Sequence, residues 1–160
     1  MIRQATLTAL LLFSGPSAAH ESGSKVDVPE SAMAATVVVD RFFAALSSGD
    51  LAQAGAQLDP NVVILENGMA EHSAAEYLGG HAKGDAQFLK GAHHTLVRRV
   101  AREAGGLAWV ASESELHFEK DGKPSTIAST ETMVLRSGND GWKIVHIHWS
   151  SGVKRPGNTG

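Results

Sequence analysis

Apolar residues recur with a helical period early in the chain and alternate with polar ones toward its end. Ala35, Val38, Val39, Phe42, Phe43 and Leu46 stand at i, i+3, i+4, i+7, i+8 and i+11, one broad apolar face of a helix. Ser31 is placed to cap its start and Gly49 to stop it. Asp50 then caps a second short helix carrying Leu51, Ala54 and Leu58, closed by Asp59-Pro60. Asn61 to Glu66 reads as a strand, and Asn67-Gly68 as a tight turn into Met69 to Glu71. The S-x-x-E spacing of Ser73 and Glu76 predicts the start of a third helix, which Gly79, Gly80 and Gly84 keep short or broken.

From His93 onward the period changes to that of strands. Thr95 to Arg102, Leu107 to Lys120, Lys123 to Arg136 and Trp142 to Ser150 form successive strands. Gly105-Gly106, Asp121-Gly122 and Ser137 to Asp140 join them. Helices followed by an antiparallel meander define an α+β layout, a curved antiparallel sheet wrapped around its N-terminal helices.

The N-terminus alters this picture. Met1-Ile2-Arg3 is a short basic start, Ala5 to Phe13 is apolar, and Ser14-Gly15-Pro16 breaks the run before the small residues Ser17-Ala18-Ala19. That is the pattern of an export signal spanning 1–19, with His20 as first mature residue. The apolar run is too short to span a bilayer, so a periplasmic or secreted protein is expected, with no membrane partner once the signal is removed. Residues 20–30 read as a flexible lead-in, 31–151 as one domain and 152–160 as a flexible tail.

The 160-residue chain has no cysteine, which excludes disulfides, zinc–thiolate and iron–sulfur sites, and a cysteine nucleophile. Its formal net charge is −3 and its basic residues are scattered apart from Arg98-Arg99 and Arg102, so no nucleic-acid partner is expected. With 42% hydrophobic and 19% charged residues it has the makings of a packed core.

The stretch VVVDRFFAALSSGDLAQAGAQLDPNVVILENG, followed by TETMVLRSGNDGWKIVHIHWSS, resembles the nuclear transport factor 2-like superfamily. Within it the chain resembles SnoaL-like and ketosteroid-isomerase-like bacterial proteins. Its ending is also similar to the association domain of calcium/calmodulin-dependent kinase II. The resemblance covers roughly residues 32–151. It implies a cone-shaped curved sheet closed by three helices, a homodimer, and a small-molecule ligand in the cone. This fold carries isomerases, dehydratases, cyclases, binding modules and oligomerisation domains alike. The acidic base and tyrosine oxyanion donor of ketosteroid isomerases have no motif here, and the single tyrosine, Tyr77, falls in the third helix.

The turns predict the register. A two-residue Asp121-Gly122 loop pairs Lys120 with Lys123, Ser114 with Ser129 and Ser112 with Glu131. An even-length loop around Gly138 to Asp140 then brings Glu131 to His146 and Ser129 to His148. Val110, Ser112, Ser114, Leu116, Ile127, Ser129, Glu131, Met133, Ile144, His146 and His148 would line the cone. Val145, Ile147 and Trp149 would form an apolar patch on the convex face, the dimer contact. A one-residue slip would exchange the faces.

Chemistry is expected from Glu131 and His146 as an acid–base pair shuttling protons, with His148, Ser129, Ser112 and Ser114 contacting the ligand. A satisfied ion pair that merely fixes the sheet is the alternative. So is a non-catalytic dimerisation or ligand-sensing module. The H-x-H of His146 and His148 could also hold zinc or copper, with Glu131 or His93 as third ligand, and an N-terminal His20 could chelate copper. No cofactor or permanent metal is expected over ligand contact. The ending HIHWSS is similar to that of iota-class carbonic anhydrases at His146, His148, Ser150 and Ser151, with Trp149 where that family has histidine. Glu66, Glu71 and His72, around the Asn67-Gly68 turn, read as a solvated loop at the cone's mouth.

Overall fold

A computed structural model describes residues 25–154. The export-signal segment 1–19, the first part of the lead-in and residues 155–160 lie outside the described residues. Strand β1 (Lys25–Asp27) is followed by helices α1 (Glu30–Ser48) and α2 (Leu51–Gln57), then strands β2 (Leu58–Glu66) and β3 (Met69–Glu71). Helices α3 (Ala74–Gly79) and α4 (His81–Lys90) precede the long strands β4 (His93–Ala104), β5 (Leu107–Lys120), β6 (Lys123–Gly138) and β7 (Gly141–Val153). One seven-stranded sheet runs in the order β1-β4-β5-β6-β7-β2-β3. The meander β4 to β7 is antiparallel as expected, whereas the flanking pairs β1–β4 and β2–β7 are parallel.

The local signals act as their chemistry dictates. Gly49 ends α1 at φ 80°, a left-handed conformation that costs a residue without Cβ little, and Asp50 accepts the Gln53 N–H to start α2. The Ser73 hydroxyl accepts the Glu76 N–H, and the Glu76 carboxylate accepts the His72 N–H, so the chain turns into α3 with its first donors satisfied. Gly80 divides α3 from α4. The start of α1 differs from expectation: Pro29 precedes its first turn, and no side chain caps it. Residues of the expected flexible lead-in form β1, tied to β4 by an Asp27–Arg102 ion pair at 2.7 Å.

Helix α1 lies across the concave side of the sheet. Ala32, Ala35, Val39, Phe42 and Leu46 are buried there against Val110, Met133, Leu135, Ile144 and Ile147. By length and composition α1 could cross a membrane, but its apolar face is spent on this core. Truncating fully buried Phe42 to alanine would cost about 3–5 kcal/mol in lost burial and cavity formation.

The β5–β6 register matches the expected one: Lys120 opposes Lys123, Ser114 opposes Ser129, and Ser112 opposes Glu131. The β6–β7 register does not. Leu135 opposes Ile144 and Val134 opposes His146, leaving Val145 as an extra residue in a β-bulge. Beyond the bulge every residue of β7 faces opposite to expectation. His146 and His148 pair with Val134 and Thr132 on the convex side, while Ile147, Trp149 and Ser151 pair with Met133, Glu131 and Ser129 inside. The physical reason lies in the core: Ile144 and Ile147, three residues apart, are both fully buried, which simple alternation forbids. Burying Ile147 and Trp149 in place of two imidazoles gains apolar area and spares unpaired ring nitrogens.

Candidate functional site

The cone holds a half-open cavity of about 290 Å³ between the concave sheet and helices α1 and α4. Phe43 and Leu46 of α1, Phe88 and Leu89 of α4, and Leu116 and Ile127 of the sheet supply its apolar walls. Its polar groups arrive in rows across the strands. Register aligns Arg99, Ser112, Glu131, Trp149 and Glu66 from β4 through β5, β6 and β7 to β2. The next row aligns Leu96, Ser114, Ser129 and Ser151. Directly opposed residues point the same way, so each row is one strip of the wall.

Four hydrogen-bonded units organise the site. The Trp149 Nε1–H donates to Glu131 Oε2 at 3.0 Å, setting an indole into the wall and giving Glu131 its donor. The Tyr77 hydroxyl donates to Asp85 Oδ2 at 2.8 Å, and the Tyr77 ring is buried beside Phe42 and Trp149, centroids 6.4 and 6.1 Å away. Glu71 Oε1 lies 2.6 Å from His81 Nδ1, while Glu71 Oε2 is buried with no partner among the described residues. Arg99, buried on the concave face, is held by Asp40 and by the Ser112 hydroxyl.

Asp85 lies on the face of α4 that also carries buried Ala82 and Ala86, three residues after one and one before the other. Burial there pushes its carboxyl above the ordinary range, against the Tyr77 hydrogen bond and the nearby His81, which pull it down. Burial likewise raises Glu66, and the neighbouring Asp85 adds to the rise. His94, its ring tilted against that of Phe43 with centroids 4.2 Å apart, is pushed down, first by burial and then by Arg99. The Glu71 hydrogen bond raises His81. Burial and the adjoining Asp85 raise the Tyr77 hydroxyl, which stays protonated and serves as a donor. A carboxyl whose proton affinity is raised by burial beside an apolar cavity is equipped for proton transfer.

Of the residues expected to do chemistry, Glu131, Ser114 and Ser129 line the cavity. Ser112 is on the same face but is buried under Arg99. His146 and His148 are on the other side of the sheet, so the expected Glu131–His146 pair does not form; Trp149 occupies the place beside Glu131. The His146–His148 metal site loses its third ligand on the same geometry, and His20 lies outside the described residues. His93, on β4, is three inter-strand spacings of roughly 4.8 Å from β7, and Glu131 points to the opposite face. Among the described residues no three His, Asp or Glu side chains converge as metal ligands. The serines of the HIHWSS ending part as well, Ser150 outward beside Thr130 and Ser151 into the cavity. Glu66 and Glu71 are not a solvated loop: Glu66 lines the cavity and Glu71 is buried beside Ile64. Asp85, His94 and Trp149 are additions to the site. Asp85 alone carried a signal, a charge on the apolar stripe of a helix.

A curved α+β cone with a largely apolar cavity and a few convergent carboxyls defines a class of small pocket-bearing domains. The sequence profile of the SnoaL-like domain matches residues 36–154, and the chain belongs to that family, within the nuclear transport factor 2-like superfamily. A ketosteroid isomerase-like protein from Shewanella frigidimarina is 36% identical, with a TM-score of 0.70 over 79% of this chain and 100% of that one. The CaMKII hub of S. rosetta is 26% identical, with a TM-score of 0.63 over 75% of this chain and 95% of that one. An NTF2-like protein with a cystatin-like fold from Novosphingobium aromaticivorans shares the fold at 15% identity, with a TM-score of 0.65 over 75% and 80% of the two chains. No curated protein matches the chain in sequence.

Proposed function

We propose that this protein binds a small, largely apolar molecule in the cone and moves a proton on it, as an isomerase or dehydratase would. Asp85 is the acid–base group, Tyr77 its positioning donor, and Glu66 and Glu131 the carboxyls that flank the ligand, with Ser114 and Ser129 as polar contacts. One observation carries this reading: Asp85 faces an apolar cavity with its proton affinity raised by burial and its orientation fixed by the Tyr77 hydroxyl at 2.8 Å. Likeness to the ketosteroid isomerase-like protein supports the reaction class. Exchange of acidic C–H protons for deuterium in a panel of cyclic enones tests it. Exchange catalysed by the wild type and reduced about 100-fold or more in Asp85→Asn is expected. Equal exchange by both proteins removes Asp85 from the role.

The second reading, a homo-oligomer, is supported by likeness to the CaMKII hub. Its surface is the convex sheet face, where Trp109 is 41% exposed and Val134 and His146 lie close by along the register. Ile147 and Trp149, expected on that face, are inside it. Trp109→Glu should shift the protein toward monomer in sedimentation; an oligomer indifferent to it uses another face. Action outside the cytoplasm after cleavage behind Ala19 belongs to the same proposal, and N-terminal sequencing of secreted protein that began at Met1 would refute that cleavage.

A further inference from the structure

We propose that the ligand of the cone carries a protonated amine on an apolar, ring-sized body, with the ammonium against Asp85 and Glu66. This rests on the reading of the cavity as a ligand site and adds to it the ligand's charge. Three carboxylate side chains line the cavity, those of Glu66, Asp85 and Glu131, and neither lysine nor arginine is among its lining residues. The one basic lining group, His94, is held toward its neutral form by burial and by Arg99. Arg99 itself is engaged by Asp40 and Ser112 on the concave face.

A second observation is independent of that lining. Glu71, on β3 opposite Ile64 and outside the cavity lining, is 8% exposed, with Oε2 buried and without a partner among the described residues. His81 is its ionic partner, one cation for a group of acids. The Glu71 charge reaches Asp85, Glu66 and Tyr77, raising the proton affinity of each. An unpartnered buried carboxylate oxygen is costly, and so are two acids crowded at an apolar wall. Burial and this crowding raise the proton affinity of Glu66 and Asp85. A ligand ammonium would relieve the repulsion, whereas a carboxylate ligand would add to it. Phe43, Phe88 and Trp149 complete the recognition with apolar surface and π-faces, which favour a cation. A cavity of about 290 Å³ is at the small end for ligand sites and suits a body of one or two rings.

Calorimetric titration of the full chain at pH 7 with tryptamine, tryptophol and indole-3-acetate varies the head group on one ring system. Tryptamine should bind about tenfold or more tightly than tryptophol, with indole-3-acetate weakest. In Asp85→Asn the tryptamine preference should shrink to within about threefold while tryptophol affinity does not fall. Asparagine retains an oxygen for the Tyr77 hydroxyl, and circular dichroism verifies the fold. Tryptophol or indole-3-acetate binding as tightly as tryptamine would overturn the cation preference and leave the cavity a ligand site. A tryptamine preference that survives the double variant Glu66→Gln, Asp85→Asn would overturn the assignment to these carboxylates. Absence of binding by all three probes would overturn both the preference and the ligand-site reading beneath it.

Discussion

On the concave face of the sheet Ser112, Glu131 and Trp149 each have a partner inside the fold, whereas on the convex face Glu113, Thr132 and His148 are exposed. The two sets are one residue apart along the same strands, so local sequence differs little between them. Desolvation makes the difference. A polar group inside must find a partner or change its protonation, and Arg99–Asp40, Tyr77–Asp85 and Trp149–Glu131 are the partnerships that result. Outside, water satisfies the same groups. The proposed function uses the face where that relief is missing, because there burial displaces proton affinities from those in water.

The comparison breaks most easily at adjacent residues of β7. Ile147→Asp should lose about 4 kcal/mol or more, enough to unfold much of the protein, because it leaves an unpaired carboxylate in the core. His148→Asp, one residue on, should change stability by less than about 0.5 kcal/mol. Urea unfolding measures both, and a larger loss at His148 would reverse the faces.

Tyr77→Phe probes a partnership on the concave side. It should cost about 1–3 kcal/mol in the same assay, because Asp85 loses its donor. The hydrogen bond lowers the Asp85 pKa, so its removal should raise that pKa further, readable as a carboxyl ¹³C titration moving to higher pH. A titration unmoved by the substitution would mean that the hydroxyl does not reach the carboxyl in solution.

Asp85→Asn sharpens the contrast between stability and function. The folded pKa of Asp85 is above its unfolded value. The folded state therefore binds this proton more tightly, and the favourable contribution, full below the unfolded pKa, is lost as pH rises through the folded one. Above the folded pKa the charged group works against folding, so there asparagine should stabilise the free protein by about 1 kcal/mol. The same pKa predicts that tryptamine binding weakens as pH falls through it, since a protonated carboxyl cannot pair with an ammonium. A variant less stable than wild type above that pKa, with native circular dichroism, would show that Asp85 contributes more to packing than burial takes away.

The smallest effect is expected at the rim. His81 is raised by its hydrogen bond to Glu71, so its contribution to stability is full below the unfolded histidine pKa and fades as pH rises through the folded one. The stability difference between wild type and His81→Gln should follow that course between acid and mildly alkaline pH. A difference constant with pH would leave the Glu71–His81 contact without an ionic component.

The α+β class and the helix-then-meander order were legible because they depend on short-range signals: the apolar period of Ala35 to Leu46, the stop at Gly49, and the Ser73–Glu76 capping box. Asp121-Gly122 set the β5–β6 hairpin within the turn itself, where Asp121 and Gly122 both adopt positive φ. From that turn alone Ser114, Ser129 and Glu131 could be placed on one wall. What the chain's own pattern could not reveal was the bulge at Val145, which exists because the curved sheet buries Ile144 and Ile147 together against α1. Nor could it bring Asp85 of α4, Glu66 at the end of β2 and Trp149 near the end of β7 to one cavity. Periodicity and turn chemistry act within a few residues and are written in the sequence. Bulges, partnerships and displaced proton affinities arise only when distant segments exclude water from one another, and that is decided by the tertiary structure.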